Sequence, residues 1–154
     1  MRETLKFTQC LDHHGPELPA ALAAACPQGI DVYFESVGGA VLDAVLPLLN
    51  PGARIPLCGL AAQYNATAEP TGPDRLPSFM GTLLRRRVHL QGFIAFEDFG
   101  AQFPTFFAAM GDWLASGQIR VLEDIVEGLE NAPEALIGLL QGRKFGKLLI
   151  RVAE

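Results

Sequence analysis

The segment Gly29-Ile-Asp-Val-Tyr-Phe-Glu-Ser-Val-Gly-Gly39 decides the fold predicted for this chain of 154 residues. Its apolar run at residues 30–34 is typical of a parallel strand that is buried on both faces. A second unit of the same kind follows an apolar helix, with a strand at residues 54–58 and then a loop. Ligands of doubly wound sheets lie just beyond the carboxyl ends of the strands, so residues 35–39 and 58–64 are predicted to line one nucleotide site.

The glycine-rich turn that normally opens a nucleotide-binding sheet does not precede this segment. The sequence therefore predicts the later part of a cofactor site. Residues 9–12 predict a short strand, and Val88–Ala95 predicts a further one. Between them, residues 61–78 contain several prolines without apolar periodicity, which predicts a long loop of the kind that usually has a binding role.

The C-terminal part of the chain predicts a helix and then a strand-helix-strand segment. An aromatic stripe in Phe103–Leu114 predicts a helix that packs into a core. Residues 119–127 are predicted to be extended, a capping box at Asn131–Glu134 leads into a predicted helix at residues 135–140, and Lys147–Val152 are predicted to form a closing strand.

The composition argues against several classes of function. A formal net charge of −5 argues against nucleic-acid binding, because phosphate-tracking surfaces need clustered excess cations. The basic cluster Arg85–Arg87 ends a predicted helix, where cations meet the negative end of the helix dipole. No apolar run approaches the ~20 residues of a membrane helix, and the N-terminus lacks the apolar core of a signal peptide. We therefore expect a cytoplasmic protein.

The cysteines and histidines do not predict a metal site. Cys10, Cys26 and Cys58 are odd in number and widely spaced in apolar segments, which predicts reduced packing residues rather than disulfides or metal ligands. The three histidines show no metal-like spacing with a carboxylate or thiolate.

Several motifs, in order, carry a resemblance to a known family. They are Cys26-Pro-x-Gly-Ile-Asp-Val-Tyr-Phe-Glu-x-Val-Gly-Gly39, Arg54-Ile-Pro-Leu-Cys-Gly59, Gln63-Tyr-Asn65, Gln91-Gly-Phe-Ile94, Glu127-Gly-Leu-Glu-Asn-Ala-Pro133 and Phe145-Gly-Lys147. Together they resemble the zinc-independent medium-chain dehydrogenase/reductase group that contains prostaglandin reductase, alkenal double-bond reductase and curcumin reductase. The resemblance extends from about Cys10 to Val152.

The resemblance implies an α/β fold: a partial Rossmann-type, doubly wound parallel sheet that lacks its first two strands, plus a C-terminal strand-helix-strand segment. Members of the family are roughly twice as long as this chain. Residues 1–118 would be the C-terminal part of the NADP-binding Rossmann domain, and residues 119–154 would return to a catalytic domain that this chain lacks.

The implied activity is NADPH-dependent reduction of the carbon-carbon double bond of α,β-unsaturated ketones or aldehydes, with this chain inactive on its own. The cofactor carries that chemistry, so the protein orients it, polarises the carbonyl and excludes water. The family also implies a homodimer through the edge strand near Val88–Ile94.

The resemblance also implies which residues contact NADPH. Residues 58–64 would wrap the nicotinamide and its ribose, residues 93–95 would lie along the carboxamide edge, and Tyr64 would be the catalytic hydroxyl. The implied cofactor contacts are His13, Ser36, Gly38, Gly39, Cys58, Gly59, Leu60, Gln63, Tyr64, Phe93, Ile94, Ala95 and Lys144. Ser36 and Lys144 replace the asparagines that are usual in relatives, so these two contacts are altered.

Three alternatives stay open at this stage. The chain is either half of a reductase or a catalytically silent dimerisation or interaction module derived from one, and a different Rossmann-like enzyme such as a methyltransferase is a third possibility. Gly38-Gly39 either admits the cofactor or simply provides positive φ at a turn. Glu35 is either a ribose-binding acid or a carboxylate that stabilises the turn.

Overall fold

The computed structural model of the chain describes residues 2–68, 72–143 and 145–153. The chain forms two compact units, Met1–Gly100 and Ala101–Glu154. The elements of the first unit are α1 (Arg2–Leu5), α2 (Leu18–Ala25), β1 (Ile30–Val32), α3 (Gly39–Val45), β2 (Leu49–Leu57), α4 (Leu76–Arg86), β3 (His89–Gly92) and α5 (Ala95–Phe99). Those of the second unit are α6 (Phe103–Ala115), β4 (Glu123–Glu127), α7 (Ala132–Leu140) and β5 (Lys147–Arg151).

The sheet of the first unit is parallel, in the order β1-β2-β3. The two strand-to-loop units predicted from residues 29–39 and 54–64 are therefore neighbours, as the sequence indicated. β2 begins at Leu49 rather than at Arg54, because Pro47 ends α3 in a 3-10 turn at Leu46–Leu48 and the chain extends directly from it.

The strand predicted at residues 9–12 is wrong, since these residues adopt no regular structure. In the doubly wound order the third strand pairs with the second, and no strand of that kind lies among the described residues. A strand forms only where a neighbour takes up its backbone hydrogen bonds. β1 lies at an edge of the described sheet.

The core of the first unit lies on one face of its sheet. The buried residues Val45, Leu49, Ala53 and Ile55 form one cluster, against which Leu22, Ile30, Tyr33, Leu46 and Val88 pack. Val32 and Phe34 alternate along the chain with the core-facing Tyr33 and are 52% and 57% exposed. The prediction that residues 30–34 are buried on both faces is thus wrong for this chain, because a doubly wound sheet needs cover on its second face as well.

The predicted strand Val88–Ala95 is shorter than expected. β3 ends at Gly92, and Ala95 already lies in α5. β3 ends opposite Leu57, the last residue of β2, and Asp98 Oδ2 accepts a hydrogen bond of 2.7 Å from the backbone N–H of Ile94. That N–H therefore serves the start of a helix rather than the strand ladder.

The second unit contains the predicted strand-helix-strand segment, which is confirmed. β4 and β5 pair in parallel, with Glu123 opposite Lys147 and Glu127 opposite Arg151, and α7 connects them. The aromatic stripe of α6 does not lie in a core: none of its described residues is buried, and Phe107 is 64% exposed. The rings of Phe103 and Phe107 instead stack on each other, with centroids 5.6 Å apart.

Among the described residues, no helix combines the length and the apolar character that crossing a membrane requires.

Candidate cofactor site

The two loops predicted to form the site lie side by side at the carboxyl ends of neighbouring strands. The carbonyl of Glu35 accepts hydrogen bonds from the backbone N–H groups of Cys58 and Gly59, at 2.8 and 3.3 Å. Further along, Ala61 N–H donates to Ser36 O at 3.0 Å and Ala62 N–H donates to Val37 O at 2.8 Å. Residues 35–39 and 58–64 are therefore joined by a continuous set of main-chain hydrogen bonds.

The glycines of these loops allow the close approach. Gly38 has φ 75° and ψ −155°, a conformation that is essentially restricted to glycine. A Cβ on Gly38 would lie 3.1 Å from Leu60 Cδ2, and one on Gly39, with φ 55°, would lie 3.3 Å from the Cβ of Ala62. Both glycines have positive φ, and the groups that approach them in this structure belong to the second loop.

A cleft of about 560 Å³ opens beside these loops. Its walls come from the ends of β2 and β3 and from the segments that follow them. The lining residues are Leu57, Cys58, Gly59, Leu60, Tyr64, Gly92, Phe93, Ile94 and Asp98. The structure thus brings six of the implied cofactor residues into one cavity: Cys58, Gly59, Leu60, Tyr64, Phe93 and Ile94.

Aromatic contacts fix one wall of this cleft. The ring of Phe93 packs edge-on between Phe34 and Phe99, with centroid distances of 6.1 and 5.5 Å. Two other lining residues are accessible to a ligand, since Leu60 is 38% exposed and Tyr64 is 69% exposed. The cleft is therefore largely apolar, with the Tyr64 hydroxyl, the Cys58 thiol and the Asp98 carboxylate as polar groups, a composition that suits a planar ring carrying few polar atoms.

Other implied residues lie elsewhere. Gln63 and Gly39 line a second cleft of about 640 Å³ between α3 and α4, next to the ion pair between Arg75 and Asp43. His13 is an exposed turn residue whose ring is tilted by 40° against that of His14, at a centroid distance of 3.9 Å. It does not line either cleft.

Three more of the implied cofactor contacts are Ser36, Ala95 and Lys144. Ser36 is exposed and contributes its carbonyl to the loop pairing. Ala95 begins α5 and does not line the cleft beside Ile94. Lys144 lies outside the described residues. Asp98, by contrast, lines the cleft but was missed in the sequence, where only its position four residues after Ile94 at a helix start would have indicated it.

Glu35 is the buried charged residue at the base of the loops, with 2% of its surface exposed. Its Oε1 accepts hydrogen bonds from the N–H groups of Val37 and Gly38, both at 2.7 Å, and from the hydroxyl of Tyr33 at 3.1 Å. Oε2 is buried without a hydrogen-bond partner among the described residues, at a typical cost of about 1–3 kcal/mol. These contacts confirm the interpretation of Glu35 as the carboxylate that stabilises the turn.

Tyr33 connects this site to the stability of the unit at alkaline pH. Its partial burial, followed by the charge of Glu35 and the hydrogen bond to it, raises the pKa of the phenol well above its ordinary value of about 10. The folded state therefore holds the Tyr33 proton more tightly than the unfolded state does. This contribution to stability is complete below about pH 10 and is lost as the pH rises through the folded-state pKa.

We expect the Tyr33→Phe variant to lose less stability between pH 9 and pH 11 than the wild-type chain, because the titrating group is gone. Urea unfolding at a series of pH values measures this difference. The Tyr64→Phe variant is the matched control, since it also removes a tyrosine but should keep the alkaline loss because Tyr33 is still present. Equal pH dependence in the wild-type chain and Tyr33→Phe would contradict the assignment.

The cysteines differ in part from the prediction. Cys10 and Cys58 are exposed free thiols, so the prediction that they are packing residues is wrong, and only Cys26 is partly buried. In the parts of the chain that the structure describes, no group of three or more His, Cys, Asp or Glu side chains is arranged to hold a metal ion.

The sequence of the chain is similar to those of known reductases. The chain is 56% identical over 151 residues to the NADPH-dependent curcumin reductase of Escherichia coli (strain K12), a match that covers 98% of this chain and 44% of the relative. It is 38% identical over 137 residues to the 2-alkenal reductase (NADP(+)-dependent) of Nicotiana tabacum, covering 89% of this chain and 38% of the relative.

Solved structures give the same result. The crystal structure of CurA in complex with NADPH from Vibrio vulnificus matches with a TM-score of 0.94 and 53% identity, over 99% of this chain and 45% of that one. This match confirms the predicted α/β fold with a parallel sheet, in the C-terminal part of such reductases. The chain spans less than half the length of the relatives that it matches.

The family model described as zinc-binding dehydrogenase matches residues 5–150, which is nearly the whole chain. With the neighbouring loops and the shared cleft, this match settles the relationship that the motifs indicated. The chain belongs to the zinc-binding dehydrogenase family.

Proposed function

We propose that this chain provides the nicotinamide-binding half of an NADPH-dependent reductase that acts on the carbon-carbon double bond of α,β-unsaturated ketones and aldehydes. The observation that carries the proposal is the joining of residues 35–39 and 58–64 into one wall, beside a cleft that collects six of the implied cofactor residues. The named activities of the curcumin and alkenal reductase relatives supply the substrate class.

The described residues fit such a cofactor. Leu60, Phe93 and Ile94 provide apolar surface for a nicotinamide ring, and the cradle at Gly38 and Gly39 has no room for side chains. When bound, NADPH would supply the hydride that is transferred to the β-carbon of the substrate. Ser36, Gln63, His13, Ala95 and Lys144 remain predictions as cofactor contacts.

The protein's own contribution is to orient, to exclude water and to place a proton. We propose Tyr64 as the catalytic residue, because it lines the cleft and is 69% exposed, and its O–H would donate to the enolate oxygen that forms during reduction. The phenol also lies near the loop backbone, since a Cβ on Gly59 would be 3.3 Å from its hydroxyl oxygen.

The remaining parts of the proposal concern assembly. We propose that residues 1–118 belong to the Rossmann domain of the complete enzyme and that residues 119–154 return to its catalytic domain. Dimerisation through β3 is supported by its position at the edge of the described sheet, where backbone groups are available to a second copy. The cytoplasmic location and the independence from zinc stay predictions.

The second candidate is a catalytically silent dimerisation or interaction module. The edge position of β3 favours it, because that edge needs no cofactor to pair. The two candidates differ in NADPH binding, which the module does not require.

Two measurements test the proposed function. Titration of NADPH fluorescence with the purified chain should show saturable binding, whereas no binding would favour the silent module. Mixing the chain with a polypeptide that carries the N-terminal half of the curcumin reductase relative should produce NADPH-dependent reduction of a 2-alkenal, while each part alone should be inactive.

The same assay tests Tyr64. The Tyr64→Phe variant in the mixed assembly should reduce the 2-alkenal about 100-fold more slowly and bind NADPH normally, as expected for loss of a proton donor. An unchanged rate would remove Tyr64 from the catalytic role, and activity of the chain alone would contradict its proposed dependence on the second half.

A further inference from the structure

We propose that Glu35 is a positioning residue for the cofactor: its buried carboxylate sets the turn at Val37–Gly38 and thereby holds the two loops of the nicotinamide wall at their working distance. This inference rests on the proposed function, because it assigns a role within that site. It concerns a residue that does not line either of the clefts that contain implied cofactor contacts.

The carboxylate of Glu35 holds the turn through one of its two oxygens. One oxygen, Oε1, accepts both backbone N–H groups of the turn at 2.7 Å, a short distance that is typical of charge-assisted hydrogen bonds. The turn that these bonds close includes Gly38, whose backbone conformation is essentially unavailable to other residues. Without the acceptor, two N–H groups at the base of the site would lack this partner.

Glu35 forms hydrogen bonds with both loops. Its side chain binds the first loop, while its main-chain carbonyl accepts the N–H groups of Cys58 and Gly59 at the start of the second. The position of the turn then sets that of the second loop, because Ser36 and Val37 carbonyls accept the N–H groups of Ala61 and Ala62. A shift of the turn is therefore transmitted to the wall that carries Leu60 and Tyr64.

The carboxylate of Glu35 positions the loops without contacting a ligand itself. Glu35 is 2% exposed, and its second oxygen, Oε2, is buried with no partner among the described residues, so neither oxygen can reach a ligand in the cleft. Retaining a buried carboxylate with one unpaired oxygen is unfavourable for the fold alone, and an amide or apolar residue would avoid the charge. The arrangement is explained by the two N–H groups that the other oxygen holds.

The experiment compares two substitutions in the full chain. Glu35→Gln keeps a carbonyl oxygen as acceptor, whereas Glu35→Leu keeps a similar volume and removes the acceptor. NADPH affinity by fluorescence and amide hydrogen exchange by NMR are measured for both variants. Glu17→Gln, a change at an exposed glutamate, is the matched control.

We expect Glu35→Leu to bind NADPH at least about tenfold more weakly and Glu35→Gln to stay within about threefold of the wild-type chain. Exchange at Val37, Gly38, Ala61 and Ala62 should accelerate in Glu35→Leu, while exchange at the core residue Ile55 stays slow. Rescue by the amide distinguishes loss of an acceptor from general loss of packing.

Each outcome either supports or overturns the proposed role of Glu35. Slow exchange at all four loop amides in Glu35→Leu would overturn the inference, as would normal NADPH affinity in that variant. If Glu35→Leu unfolds, which fast exchange at Ile55 would reveal, Glu35→Gln decides: the weaker neutral acceptor should still speed exchange at Val37 and Gly38. If the wild-type chain does not bind NADPH, the proposed function fails, and the exchange pattern alone then decides the role of Glu35.

Discussion

Replacement of Gly38 by alanine is expected to weaken NADPH binding at least about tenfold and to destabilise the first unit by about 1–3 kcal/mol. At φ 75° and ψ −155° an alanine is strained whatever space surrounds it. Its Cβ would also lie 3.1 Å from Leu60 Cδ2, so Leu60 must move within the wall of the cleft. Fluorescence titration with NADPH and urea unfolding of the same preparation measure the two effects.

Gly52→Ala is the matched control for this change. Gly52 has φ 79°, yet a Cβ at that position would meet nothing within 4 Å. It should therefore show strain from positive φ without any effect on NADPH affinity. If Gly38→Ala binds NADPH as tightly as Gly52→Ala does, the close approach of the two loops does not shape the site.

Replacement of Gly146 by alanine is expected to destabilise the second unit by about 3 kcal/mol or more. Gly146 has φ 96°, and its added Cβ would clash with the backbone carbonyl group of Leu122, whose carbon would lie only 2.7 Å away. Backbone cannot rotate aside as a side chain can. The same carbonyl accepts the N–H of Lys147 at 2.7 Å, so relief of the clash breaks the first hydrogen bond between the segments that lead into β4 and β5.

The fluorescence of Trp113, the single tryptophan of the chain, reports unfolding of this unit. We expect the urea midpoint measured with this probe to fall clearly in Gly146→Ala. Gly117→Ala is the control, since Gly117 has φ 71° in the same unit and a Cβ there would meet nothing within 4 Å. Similar midpoints in the two variants would show that the contact with Leu122 is not important for stability.

Local patterns were sufficient for part of the order of the elements and for the neighbouring loops. Apolar runs, glycine pairs and prolines act within a few residues, so the strand-helix-strand sequence from Ile30 to Leu57 and the segment β4-α7-β5 were predictable. The same patterns failed for residues 9–12 and for Val32 and Phe34. A strand and a buried face both need neighbours that are remote in sequence, and a local pattern contains no information about whether they are present.

The candidate site, like the fold, was predictable from the sequence only in part. The resemblance implied that residues 58–64 and 93–95 meet one cofactor, and the structure brings Cys58, Gly59, Leu60, Tyr64, Phe93 and Ile94 to one cleft, without Ala95. The motifs did not predict that Asp98 accepts the N–H of Ile94 and lines the cleft, or that Glu35 is buried beneath the turn.

The residues alone were enough to establish the type of fold and the family, because both depend on short-range order along the chain, and they predict the edge of the sheet at which a cofactor would lie. Tertiary structure alone decided that the Glu35 carboxylate holds the turn and does not bind a ribose, and that Leu60 limits the space above Gly38. These outcomes depend on distances between atoms that folding brings together, and such distances are not encoded in the spacing of residue types.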